Sequence, residues 1–309
     1  MSAPDLSIRL GPVELKNPVL TASGTCGYGP EYAPFSDLSA LGGFTTKSVT
    51  LRPRKGNAPQ RIVETPGGML NAIGLANVGI DEFERVKAPA AATIGTKIFA
   101  NVAGHSIEEY VEVCRRIDAI ESIAGIELNV SCPNVSDGLT FGTDAKLLAE
   151  VTRACRTVIQ RGALIVKLSP NVTDITQMAR AAIDGGADAL SMINTLLGMK
   201  IDINKRKPVI ANRTGGLSGP CIRPVAIHLV NKVYKAVARD AGVPIVGMGG
   251  ISTWQDAIEF ILAGATAVSV GTALFAHPDA PEHVVAGIED YLRRNSVASV
   301  RELVGALDE

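Results

Sequence analysis

Eight short apolar runs punctuate the chain, each leading into a turn rich in Gly, Asn or Ser. They are Pro18–Ala22, Phe44–Val49, Thr96–Val102, Ile126–Val130, Ala163–Leu168, Ala189–Ile193, Pro244–Met248 and Ala267–Val270. Most are continuously apolar rather than alternating, the pattern of strands buried on both faces of a parallel sheet. Segments with helical spacing lie between them: Ser106–Ile120, Asp144–Ile159, Asp174–Asp184, Thr253–Leu262 and Glu282–Arg294. Ser106 stands three residues before Glu109, the spacing of a capping box, and Gly185-Gly186 and Gly264 are placed to end helices. Eight strand–helix units predict a closed (β/α)8 barrel, a TIM barrel, with an open doubly wound sheet as the competing arrangement. No linker divides the chain, so residues 1–309 read as one domain. Two connections are long, Thr50–Gly79 after strand two and Thr195–Pro220 after strand six. Both leave C-terminal strand ends, where such barrels place their active sites.

Polar residues cluster at those same ends. Ser23 follows strand one, Lys47 and Ser48 lie on strand two, and Asn101 lies on strand three. Asn129 lies on strand four with Cys132 in the loop just past its end, Lys167 lies on strand five, and Asn194 and Thr195 come at strand six. So many polar groups aimed at one place predict a ligand site. Strand seven runs into Gly-Met-Gly-Gly-Ile-Ser (247–252) and strand eight into Gly-Thr-Ala (271–273). Glycines there let backbone N–H groups approach a phosphate, and Gly215, Gly216 and Gly219 are available to complete the cradle. Cys132, flanked by Asn129 and Asn134 and near two lysines, has the setting of a base or nucleophile.

Composition narrows these readings. Of 309 residues, 46% are hydrophobic and 20% charged, consistent with a large core. A barrel of this type needs about 250 residues before insertions, which leaves about 60 for loops. The net charge of −1 gives no sign of a nucleic-acid footprint or a basic membrane face. MSAPDLSIRLG has no signal-like apolar run, so a cytoplasmic location is expected. Phe260–Ala276, uncharged but divided by Gly264 and Gly271, reads as a helix end plus a buried strand rather than a membrane span. Cysteines at 26, 114, 132, 155 and 221 form no C-x-x-C motif, and histidines at 105, 228, 277 and 283 form no paired motif. Free thiols and no resident metal are therefore expected.

The chain resembles class 1 dihydroorotate dehydrogenases, and more closely the catalytic subunit of their 1B type, from about Leu6 to Leu292. The likeness is carried by NPVLTASGTCGYG (17–29), GFTTKSVT (43–50), ETPGGMLNAIGLAN (64–77) and ELNVSCPN (127–134). VKLSPNVTDI (166–175), NTLLGMKIDI (194–203), GGLSGP (215–220), GMGGI (247–251) and SVGTA (269–273) extend it. Gln60, Val78 and Cys221 depart from the family pattern at positions that carry no chemistry. The resemblance implies one FMN per chain, held by Ser23, Lys47, Ser48, Asn101, Asn129, Lys167 and Ile193, with Gly219, Gly249, Gly250, Gly271 and Thr272 toward its phosphate. Orotate would contact Lys47, Asn71, Ala72, Ile73, Gly74, Leu75, Asn129, Asn194 and Thr195. Cys132 would be the base, taking a proton from C5 of dihydroorotate while C6 gives hydride to the flavin. The 132–143 loop would act as a lid. The 1B likeness further implies a partner subunit with FAD and a 2Fe-2S cluster, NAD as final acceptor, and a homodimer core within a heterotetramer.

Four other readings stay open on sequence alone. They are a fumarate-linked 1A enzyme, a dihydropyrimidine dehydrogenase-like protein, an aldolase using Lys167 as a Schiff base, and a flavin-binding subunit without turnover.

Overall fold

The computed structural model describes residues 3–131 and 141–308. Eight parallel strands close into a barrel: β1 (Val19–Thr21), β2 (Gly43–Thr45), β3 (Lys97–Val102), β4 (Ile123–Asn129), β5 (Ala163–Lys167), β6 (Ala189–Met192), β7 (Ile245–Met248) and β8 (Ala267–Val270). Each strand pairs with its neighbours in sequence and β8 closes onto β1, so the open doubly wound sheet is excluded. Every residue of β1, β2 and β5–β8 is buried, as the unbroken apolar runs require when helices cover one face and the barrel interior the other.

Seven helical segments follow β2 to β8 among the described residues: α1 (79–92), α2 (Ile107–Asp118), α3 (Ala145–Arg156), α4 (Ile175–Asp184), α5 (223–241), α6 (Trp254–Leu262) and α7 (Ala280–Arg294). The expectation of eight helices is corrected at the first unit. After β1 the chain forms turns and one short 3-10 segment, Leu38–Ala40, capped by Asp37. Gly24, Gly27 and Gly29 all take positive φ there, which a helix does not admit. The predicted capping box of α2 is half formed. The Ser106 hydroxyl accepts from the Glu109 amide, but the Glu109 carboxylate accepts from the His105 amide, one residue too early. A complete box forms at α6, between Thr253 and Asp256.

The two long connections are structured together. Ile62–Thr65, Gly68–Asn71, Leu196–Gly198 and Gly215–Ser218 make a four-stranded antiparallel sheet across the C-terminal mouth. No single connection contains enough strand to bury a face, which is why neither looks ordered when read alone. The opposite end of the barrel carries Asp188, whose carboxylate accepts from Arg156 and from the Leu164 amide.

Candidate active site

The polar residues at the strand ends converge inside the barrel mouth. Asn101 on β3 stands directly across from Glu127 on β4, and Lys167 on β5 lies in register with both Asn129 and Ser191. The Asn101 amide donates to Glu127 Oε1 at 2.6 Å, and the Ser191 hydroxyl donates to Glu127 Oε2 at 2.8 Å. The Ser48 hydroxyl donates to Asn101 Oδ1. Lys167 reaches across the barrel: its ammonium donates to Ser23 Oγ beyond β1 at 3.1 Å and lies 3.9 Å from Glu127 Oε1. Asn194 donates to Asn129 Oδ1 at 3.4 Å, and the Tyr110 hydroxyl pins the Asn129 carbonyl at 2.8 Å.

Glu127 and Ser191 are the site residues that the sequence reading missed. The signal was present: Glu127 interrupts an apolar run and shares the face of Asn129, two residues on. Lys47 and Ser48 also need correction, because β2 ends at Thr45. The Lys47 amide donates to the Gly27 carbonyl instead of the next strand, and pairing resumes at Val49 with Val102. The ladder is broken where these two side chains leave it. The Lys47 ammonium has no hydrogen-bond or ion-pair partner among the described residues. Its half-buried position, and then the Arg61 guanidinium nearby, lower its pKa from the ordinary lysine value, against a smaller opposing effect of Glu31.

The glycines form one packed corner. Gly219, Gly249 and Gly250 have φ of +103°, +133° and +82°, which favour glycine. A β-carbon on Gly250 would lie 2.7 Å from the Gly219 carbonyl oxygen, and one on Gly219 would lie 2.6 Å from Gly68 Cα. The loops after β6 and β7 therefore meet the mouth sheet with no room for a side chain. The Thr272 hydroxyl joins from β8, donating to Ser218 at 2.8 Å. The backbone N–H groups of Gly249, Gly250 and Thr272 reach no acceptor among the described residues. Free amides from two loops, in a corner that excludes side chains, fit a phosphate group.

The other expected contacts are arranged less directly. Asn71 and Thr195 both flank Gly216: Asn71 donates to its carbonyl at 3.4 Å, and a β-carbon on it would meet Thr195 Oγ1. The amide and carbonyl of Ala72 are used within the loop, by Arg61 and Asn57, and Ile73 accepts from the Asn57 amide. Gly74 and Leu75 both adopt positive φ, which turns the loop back toward Asn77. The buried Ile193 donates its amide to the Met248 carbonyl and leaves its own carbonyl for other use. Cys132 and the 132–140 portion of the expected lid lie outside the described residues. Of the other thiols, Cys26 is buried beside Thr21 Oγ1 and pushed up to about 11 by that burial. Burial also raises Cys114 well above the ordinary thiol range, and Cys155 is buried too. All four histidines are exposed.

A family model described as dihydroorotate dehydrogenase matches residues 6–292. The chain is 53% identical over 308 residues to a protein of Geotalea daltonii and 54% identical over 306 residues to one of Pelobacter propionicus, covering 99% of each chain in both cases. It is 51% identical over 309 residues to one of Geobacter sulfurreducens, covering 100% of both. All three relatives are named dihydroorotate dehydrogenase B (NAD(+)), catalytic subunit. The chain belongs to the dihydroorotate dehydrogenase family.

Proposed function

We infer that this chain oxidises (S)-dihydroorotate to orotate in pyrimidine biosynthesis, as the FMN-bearing catalytic subunit of an NAD-linked complex. The observation that carries the reading is the mouth of the barrel, where a glycine corner with free amides adjoins a pocket of amides and lysines. Gly219, Gly249, Gly250, Gly271 and Thr272 would hold the FMN phosphate. Ser23, Ser48, Asn101, Lys167 and the Ile193 carbonyl would line the rest of the cofactor. Bound there, FMN supplies the hydride acceptor. Lys47, Asn71–Leu75, Asn129, Asn194 and Thr195 would bind the substrate, whose imide and carboxylate need both donors and acceptors. Cys132 takes the C5 proton, while Lys47 and Lys167 stabilise the negative charge that builds up during oxidation.

A partner subunit carrying FAD and a 2Fe-2S cluster would take up the electrons, with NAD as final acceptor. A homodimer would form the core of the complex. The row Leu197, Met199, Ile201 and Ile203, apolar and exposed beyond β6, supports such an association surface. A cytoplasmic location fits the reading, and among the described residues no helix is long and apolar enough to cross a membrane.

Purified protein is expected to be yellow, to release about one FMN per chain on acid extraction, and to bleach when dihydroorotate is added anaerobically. The chain alone should reduce dyes but hardly NAD. Release of FAD, or a spectrum that dihydroorotate leaves untouched, overturns the assignment.

Lys47 adds a pH dependence. Its pKa is lowered, so the charge that attracts an anionic pyrimidine is complete at low pH and is lost below the ordinary lysine range as pH rises. Orotate affinity should fall through that window, and Lys47→Met should bind more weakly without the fall. Parallel pH profiles for the two proteins, measured by flavin difference spectra, would show that Lys47 does not touch the ligand.

A further inference from the structure

Glu127 is a carboxylate with 3% exposure in the interior of the barrel. Buried charges of this kind are expensive and persist when paired and hydrogen-bonded. Its two oxygens are held separately, Oε1 by the Asn101 amide and Oε2 by the Ser191 hydroxyl. The Asn101 amide cannot turn round, because its carbonyl would then face the carboxylate and its NH2 would lose Glu127. That orientation fixes the acceptor for Ser48 as well. The segment just after β2 and strands β3 to β6 thus contribute to one network, with the carboxylate at its centre.

The network ends on Lys167. Its ammonium lies 3.9 Å from Glu127 Oε1, beyond hydrogen-bond length but well within Coulombic reach, while its hydrogen bond goes to Ser23 across the barrel. Side-chain exposures of 7% and 4% leave little water between the two charges. Two anchors, the Ser23 hydroxyl and the Glu127 carboxylate, therefore hold a flexible lysine at one point in the cofactor pocket.

We propose that Glu127 is a positioning residue, whose fixed carboxylate holds the Lys167 ammonium and so sets the electrostatic field felt by the flavin. Glu127 touches neither flavin nor substrate in this role; it acts through Lys167. The proposal rests on the flavin site argued above, but fails separately from it: absence of bound FMN would defeat the site, whereas an unmoved potential defeats only Glu127.

The test is a double-mutant cycle on FMN-loaded protein with Glu127→Gln, Lys167→Gln and the pair. Glutamine keeps the shape and can still meet Asn101 and Ser191. Spectroelectrochemical titration reads the affinity for reduced over oxidised FMN. With the ammonium freed from its carboxylate, Glu127→Gln should raise that ratio about tenfold, an upward shift of about 30 mV for a two-electron couple. In the Lys167→Gln background, the same change should move it less than about threefold. If Glu127→Gln does not fold, Ser191→Ala removes one anchor of the carboxylate and should move the potential only when Lys167 is present. An unchanged potential, or an equal shift with and without Lys167, overturns the proposal, since packing alone would lower melting temperature and leave the cycle additive.

Discussion

Cys132→Ala is expected to slow the reduction of FMN by dihydroorotate about 10²–10⁴-fold, the usual contribution of a positioned general base. FMN and orotate binding should persist, because the amides and lysines proposed to hold both ligands do not include the thiol. Position carries the argument: Cys132 lies three residues beyond Asn129, where β4 ends with its carbonyl tied to Tyr110. Two of the other thiols are poor candidates. Cys26 is pushed up to about 11 by burial, and Cys114 faces the core from α2 with its pKa raised well above the ordinary value by the same cause. Neither forms a useful amount of thiolate near neutral pH. Cys132→Ser should recover some rate at high pH, since a hydroxyl is harder to ionise, and Cys114→Ala should reduce its flavin like the parent. Anaerobic stopped-flow bleaching compares all three, and near-normal reduction in Cys132→Ala would mean that the base is another group.

Gly219→Ala should weaken FMN binding by about 10–100-fold. At φ +103° an L-residue is strained, and its β-carbon would stand 2.6 Å from Gly68 Cα and 3.0 Å from the Gly67 carbonyl oxygen. Both neighbours are backbone, so relief means moving the mouth sheet away from the Gly249–Gly250 turn. Strain of about 1–3 kcal/mol is typical of such conformations, and each 1.4 kcal/mol corresponds to about tenfold in affinity. Gly242→Ala is the control. Its φ of +64° is also left-handed, but its β-carbon meets nothing within 4 Å, and it lies before β7 at the far end of the barrel. It should lower stability by about 1–2 kcal/mol and leave FMN affinity alone. Titration of apoprotein with FMN separates the two; equal affinity in Gly219→Ala and parent would remove Gly219 from the cradle.

The barrel itself was legible along the chain because burial on both faces forces continuous apolar runs, and eight such runs admit few closed arrangements. The glycine clusters after β7 and β8 were legible for a related reason, since backbone that must approach a ligand or another loop tolerates no side chain. Helix caps were readable to within one residue, as the Glu109 carboxylate shows by choosing the His105 amide over that of Ser106.

What the chain alone determined, then, was the order of strands and the polar and glycine residues that gather at the C-terminal mouth of the barrel. Tertiary structure decided how they engage. The mouth sheet unites strands more than a hundred residues apart, so neither loop announces it locally. The missing first helix reflects three positive-φ glycines competing against weak apolar spacing. Glu127 reads as an isolated charge until β3, β4 and β6 bring Asn101 and Ser191 to its two oxygens. Hydrogen bonds across a closed barrel depend on register between strands, and register is a property of the packed sheet that no single strand contains.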